Sequence, residues 1–284
     1  MTMINIIIPC TPNYNDTNII NTVKKDIDIV SQFFILYNSI KQNWKFDYNI
    51  NLFYNKNIPF NNKDEERLSC LDIKMFPIES DYEKTPYMIR CNSLVHNLDK
   101  AGTHKLLLDC DMIALKEPTF DLSQDWQAMY AGSVFEAKWY NYINKHFGYN
   151  LDLENKFCGR LFEKYIESEE HSNFFPHFNG GAFLIRESLC KKFKKYVIPS
   201  YQMSHNNNLP HRVKHLGVQY AASFSLMKIS DNWSPFTPGF NYLLKSYEIE
   251  KFGKNNIELL HYSGVSGYRL AQKYFGNEIN DYLR

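Results

Sequence analysis

The sequence predicts an α/β fold in which a mostly parallel, twisted sheet is covered by helices. Three observations carry that expectation. Strand-like and helix-like runs alternate through the first 115 residues, several strand runs are short, apolar and read as buried, and no repeat, low-complexity tract or Gly/Ser/Pro-rich linker divides the 284 residues.

Each element follows from its own pattern. "INIIIPC" (Ile4 to Cys10) is a β-branched run ended by Pro and followed by the polar turn "TPNYND", which reads as a buried strand feeding a loop. "DIVSQFFILYNSIKQN" (Asp28 to Asn43) sets Ile29, Phe33, Leu36 and Ile40 at helical spacing, and "YNINLFYN" (Tyr48 to Asn55) returns to strand. The β-α-β pattern then repeats. "LDIKMFPI" (Leu71 to Ile78) is strand-like, "PYMIRCNSLVHNL" (Pro86 to Leu98) is helical with Pro in its first turn, and "HKLLLDCDMIAL" (His104 to Leu115) is strand again. Farther on come a strand over Gln127 to Phe135 and a polar, aromatic, helix-leaning insertion or lid over Glu136 to Ser172. A strand introduced by two glycines spans Phe178 to Arg186, an amphipathic helix runs to Tyr201, a helix covers Val218 to Lys228, and a last short strand covers Ile257 to Gly264.

Composition narrows the function classes. With 32 Lys plus Arg against 31 Asp plus Glu, the net charge is +1, so no global field draws nucleic acid or an anionic membrane. The Lys-rich "CKKFKKY" (Cys190 to Tyr196) reads as a solvated helix face. The six cysteines are spread without a CxxC pair, as expected of reduced, buried thiols. The amino terminus lacks the charge and apolar length of a signal peptide, and no run approaches the roughly 18 apolar residues of a membrane span, so a soluble, cytoplasmic protein is expected.

The chemistry concentrates in "LLLDCDMIAL". In a continuous strand Asp109 and Asp111 point to one side and Cys110 to the other. At the carboxyl end of a parallel strand they meet the ligand crevice, where neighbouring carboxylates repel unless a cation or proton lies between them. A hard divalent ion, Mn²⁺ or Mg²⁺, bridging to substrate phosphates suits the pair, although a polar turn at the strand end accounts for it too. A DxD after an apolar strand also marks haloacid-dehalogenase phosphatases, where the first Asp is the nucleophile. Those proteins carry it on their first strand with a later acidic pair, whereas here it falls near residue 110 and no such pair follows.

Five segments in order resemble the GT-A nucleotide-sugar glycosyltransferases, in particular the glycogenin and lipopolysaccharide galactosyltransferase group (glycosyltransferase family 8-like). "CTPNY" resembles that group's nucleotide-site turn, which implies that Thr11, Asn13 and Tyr14 hold the base and ribose. The helix before the DxD carries Arg90, similar to a donor-contacting basic residue, and "LLLDCDMIAL" resembles the group's metal strand, making Asp109 a ribose or metal contact and Asp111 a metal ligand. "FNGGAFLIR" resembles a segment whose Asn and small residues, here Asn179, Gly180 and Gly181, face the donor sugar. "LLHYSG" resembles the segment whose His, here His261, completes the metal site, with Gly264 following at the donor.

The resemblance implies a GT-A fold, Rossmann-like, as one domain over 1–284, with a nucleotide-binding half (1–125) and a donor-sugar and acceptor half (126–284) containing the helical insertion. It implies transfer of a sugar from a UDP-sugar to a hydroxyl on a glycan, lipid or protein, dependent on Mn²⁺ or Mg²⁺ and with retained configuration. A homo-oligomer is compatible with it. A non-catalytic nucleotide-sugar or carbohydrate-binding protein of the same fold would be expected to lose the metal ligands, which here persist. Two segments depart from the group. "GVQYAA" has Val218 where the group has Asp, leaving Gln219 beneath the anomeric carbon and favouring a route without a covalent enzyme intermediate. "GVSGYR" lacks the group's pyrophosphate-binding Lys, for which Arg269 or Lys273 are the substitutes at hand. Asn179 and Gln219 would orient or stabilise the cationic sugar. Trp139, Tyr140, Tyr142 and Phe147 in the insertion suit a carbohydrate acceptor and suit helix packing equally.

Overall fold

The computed structural model describes residues 3–10, 27–79, 88–98, 102–136, 174–206, 217–243 and 249–283. Thr11, Asn13, Tyr14 and the insertion beyond Glu136 lie outside them. In chain order the elements are β1 (Ile4–Pro9), α1 (Ile29–Asn43), β2 (Tyr48–Asn55), α2 (Asn62–Ser69), β3 (Lys74–Ile78), α3 (Met88–Leu94), β4 (His104–Leu108), β5 (Met112–Ala114), β6 (Trp126–Glu136) and β7 (Phe174–Arg186). They continue with α4 (Cys190–Asn206), α5 (Gly217–Ile229), β8 (Trp233–Pro235), β9 (Tyr242–Leu243), α6 (Ile249–Phe252), β10 (Leu259–His261) and α7 (Gly264–Tyr282).

Seven strands form the main sheet in the order β3-β2-β1-β4-β7-β6-β8. Parallel pairing joins β3, β2, β1 and β4, and β7 runs antiparallel to both its neighbours. The expected mostly parallel sheet is therefore present, with one reversed strand inside it. The pleat sorts its side chains into two cores. Ile6, Ile8, Leu106, Leu108, Ala182 and Leu184 pack with α1 residues such as Phe33 and Leu36 on one face. Ile7, Leu107, Phe183 and Ile185 pack with α3, α4 and α5 on the other. Period-2 alternation in strands buried on both faces thus places helices on both sides, as the sequence pattern implied.

The local signals are visible at the helix ends. Asp28 caps α1, its Oδ1 accepting from the Ser31 N–H at 2.8 Å, so the helix begins at Ile29, the first residue of its apolar spacing. Asn61 caps α2 in the same way, accepting from the Asp64 N–H at 3.0 Å. That helix buries only Leu68, which is why no apolar periodicity announced it. The expected helix to Leu98 ends at Leu94, and the strand expected from Leu71 begins at Lys74.

One correction bears on function. The run His104 to Leu115 is two strands in two sheets. β4 ends at Leu108, and β5 belongs to a three-stranded sheet of order β5-β10-β9. There β5 pairs antiparallel with β10, Met112 opposite His261, and β10 pairs in parallel with β9. Asp109, Cys110 and Asp111 form the corner at which the chain leaves the main sheet. Helix α7, whose buried residues Tyr268, Ala271, Phe275, Ile279 and Tyr282 recur at helical spacing, packs with Ile113, Leu260 and Ile35. Of the cysteines, Cys10, Cys91, Cys110 and Cys190 are buried free thiols and Cys70 is exposed. Among the described residues no helix is long and apolar enough to cross a membrane.

Candidate metal centre

The corner after β4 is pinned from two sides. The Asp109 N–H donates to the Gly181 carbonyl of β7 at 2.9 Å, and the Tyr262 N–H donates to the Asp111 carbonyl at 3.0 Å. These two backbone bonds bring the end of β4, the middle of β7 and the end of β10 to one place, at the carboxyl end of a parallel strand. The two carboxylates therefore converge through a turn between sheets rather than through alternation along one strand, which is the physical correction to the sequence reading.

Into this place project Asp109, Asp111 and His261, each offering a ligand atom within 4.8 Å of the others. His261 Nε2 lies 3.3 Å from Asp111 Oδ1 and 4.0 Å from Asp109 Oδ2. Arg90, from α3, donates to Asp109 Oδ2 at 2.6 Å. Asp109 is 5% exposed and His261 6%. Arg90 therefore sits close enough to offset a buried carboxylate, which isolated would be costly.

The charges act strongly on one another. Burial pushes the Asp109 carboxyl up to about 6, against the pull of Arg90 and with a further push from Asp111. For Asp111, burial would raise the pKa, but the attraction and hydrogen bond of His261, with Arg90 behind, outweigh it and hold the carboxyl below its ordinary value. Burial would lower the His261 pKa, and the two carboxylates reverse that and raise it.

A divalent cation fits this donor set. Two carboxylate oxygens and an imidazole nitrogen suit Mn²⁺, which accepts mixed oxygen and nitrogen ligands, better than Mg²⁺. Adjacent ligands of an octahedral ion with bonds of about 2.1 Å stand about 3 Å apart, close to the Asp111–His261 separation. His261 Nδ1 faces Asn241 Oδ1 at 3.1 Å, so the imidazole can donate there and leave its Nε2 lone pair for a cation.

The neighbouring glycines owe their identity to close approach. A Cβ on Gly181 would stand 2.6 Å from His261 Cε1, and one on Gly180 would stand 2.7 Å from Gln219 Cγ. Gly181 thus lets the imidazole lie against β7, and Gly180 does the same for Gln219. Asn179 is buried and its Oδ1 accepts from the Gly181 N–H at 2.8 Å, shaping this stretch of strand. Gln219 lies in the first turn of α5, whose Ser223 ties the helix to β7 by accepting from the Phe178 N–H at 3.0 Å. Gly264 opens α7, three residues past His261. Arg269 and Lys273 are exposed on that helix.

Asp109, Asp111, His261 and Arg90 are therefore brought together. Asn179, Gly180, Gly181 and Gln219 adjoin them, and Thr11, Asn13 and Tyr14 fall outside the described residues. Asn241 was not foreseen. Its only sequence signal is the turn-forming "TPGFN" before it.

Solved structures share this architecture. Mouse xyloside xylosyltransferase 1, in its apo form, aligns with a TM-score of 0.50 at 11% identity, over 93% of this chain and 98% of that one. The galactosyltransferase LgtC, in complex with donor and acceptor sugar analogs, gives 0.52 at 12% identity over 98% of this chain and 95% of its own. The bifunctional glycosyltransferase WbbM, apo, gives 0.51 at 10% identity over 93% of this chain and 46% of its own. At these identities the likeness establishes the fold, which is GT-A. No family model matches the sequence, and neither does any curated protein sequence.

Proposed function

We propose that this chain is a metal-dependent glycosyltransferase that moves a sugar from a nucleotide-sugar, with UDP-sugar the preferred reading, to a hydroxyl acceptor with retention of configuration. The carrying observation is the meeting of Asp109, Asp111 and His261 at the carboxyl end of a parallel strand in a GT-A fold. The likeness to LgtC, crystallised with donor and acceptor sugar analogs, supports the same reading. The continuity of one sheet through β4 and β7 supports a single domain whose 1–125 half binds the nucleotide and whose 126–284 half binds the sugar and acceptor.

In this reading Asp109, Asp111 and the Nε2 of His261 would hold Mn²⁺ at the donor site. The cation would neutralise negative charge on the diphosphate as the sugar–phosphate bond breaks. Arg90 balances Asp109 and keeps its carboxylate oriented toward the site. The amino end of α7 at Gly264, a helix that breaks at Phe275, would bring its positive end near the leaving group, a place that favours anions and could offset the missing Lys. Gln219, held over Gly180, and Asn179 offer amide groups to the sugar ring and its developing positive charge. With Val218 beside Gln219 there is no carboxylate nucleophile at that position, which favours a route without a covalent enzyme intermediate; given retained configuration, the acceptor hydroxyl would attack on the face from which UDP leaves.

The test is calorimetric titration of UDP with Mn²⁺ and with EDTA, on the wild type and on Asp111→Ala, followed by a panel of nucleotide sugars assayed for slow Mn²⁺-dependent hydrolysis. The expected result is Mn²⁺-dependent UDP binding that Asp111→Ala abolishes. Equal UDP affinity in EDTA would remove the metal from the mechanism.

A further inference from the structure

We infer that Asn241 is a positioning residue for the metal centre: it fixes the tautomer and angle of the His261 ring so that Nε2 stays available to the cation. The inference rests on the metal-site reading above and names a residue that reading does not require. Three observations on one side chain carry it. Asn241 Oδ1 lies 3.1 Å from His261 Nδ1, and no other hydrogen-bond partner of that nitrogen is seen among the described residues. Asn241 has a φ of 56°, the one non-glycine residue with positive φ among the described residues, a conformation that Asn tolerates better than most. It is 1% exposed, and among the described residues its buried Nδ2 has no hydrogen-bond partner.

The last two features are local penalties. A left-handed backbone and an orphaned amide donor both oppose folding, and a glycine at this turn would relieve both. What glycine could not supply is the acceptor for Nδ1–H. An imidazole has one proton to place when neutral, and an acceptor at Nδ1 draws it there, leaving the Nε2 lone pair for a cation held with the two carboxylates. Position agrees with this role. Asn241 immediately precedes β9, which pairs in parallel with β10 so that Leu243 lies opposite His261. The ring is thereby clamped between the Asn241 amide on one side and the Gly181 backbone on the other.

The same turn geometry yields a clean test, because Gly and Asp both accept positive φ more readily than most residues. Mn²⁺ binding is measured by calorimetry, without donor, on the wild type, Asn241→Gly and Asn241→Asp, with thermal melts of each metal-free protein. The His261 tautomer is read in parallel from ¹⁵N chemical shifts of the ring. Asn241→Gly is expected to keep its melting temperature, weaken Mn²⁺ binding by about 10- to 100-fold and lose the Nδ1–H preference. Asn241→Asp restores an acceptor and is expected to bind within about threefold of wild type, well inside the loss that marks a missing outer partner. If the wild type itself does not bind Mn²⁺, the metal-site reading falls, and this inference with it. If the wild type binds and Asn241→Gly binds equally well, the positioning role alone is overturned. Equal loss in the Gly and Asp variants also overturns it, since the acceptor would then be irrelevant.

Discussion

Gly181→Ala is expected to dismantle the metal centre while leaving the fold standing. The added Cβ would lie 2.6 Å from His261 Cε1, 2.8 Å from its Nδ1 and 2.8 Å from Met112 Cε. The Met112 methyl is the end of a flexible chain and can turn away. The imidazole cannot do so freely, because it is 6% exposed and held at Nδ1 by Asn241. Reaching the 3.4 Å of ordinary contact from 2.6 Å moves the ring by about 0.8 Å. Metal–ligand distances tolerate only about 0.2 Å, so Mn²⁺ affinity should fall at least about tenfold, or about 1.4 kcal/mol. Overpacking should cost about 1–3 kcal/mol of stability. Calorimetric titration with Mn²⁺ and denaturant unfolding measure the two effects. Gly180→Ala is the control: its Cβ meets Gln219 Cγ at 2.7 Å, a side chain outside the Asp109, Asp111 and His261 ligand set, so Mn²⁺ affinity should hold. If Gly181→Ala binds Mn²⁺ with wild-type affinity and stoichiometry, either His261 is no ligand or β7 gives way, and the reasoning is refuted.

Two further outcomes follow from the same site. Gln219→Ala should lower turnover far more than donor affinity, because its amide would act on charge that develops only in the transition state; equal losses in kcat and in donor affinity would reduce it to a binding residue. Mn²⁺ affinity should rise with pH through about 6, since a cation must displace protons from Asp109, pushed up to about 6 by burial, and from His261, whose pKa is also raised. In the metal-free protein a carboxyl raised above 3.8 stabilises the fold at low pH and withdraws that contribution as pH climbs through about 6, so stabilisation by Mn²⁺ should grow over the same window. Titration in buffers of different ionisation enthalpy should reveal proton release on binding near pH 6, and its absence there contradicts the assignment.

Much of the architecture was legible because it rests on local periods. β2 spans Tyr48–Asn55 as its pattern indicated, and α1 and α5 lie within a residue or two of their apolar spacing. The polar α2 was hidden because it buries a single leucine, and α7 went unanticipated although its buried residues recur at helical spacing. The site was half legible. The two acids pointed by type and proximity toward a cation site, and family resemblance alone pointed to His261 as their partner. Asn241 gave no signal beyond a turn, since an outer partner is defined by what it touches.

The sequence by itself determined most strands and helices of the main sheet, its two-sided burial and the chemical character of Asp109 and Asp111, because strand pleat and helix pitch act between near neighbours. Only the tertiary structure decided that "LLLDCDMIAL" breaks at Asp109 and that His261, 150 residues beyond Asp111, closes the site. Only it decided that Gly181 clears room for that ring. These depend on the pairing of β5 with β10 and of β4 with β7, which join distant segments through hydrogen bonds that no local pattern specifies.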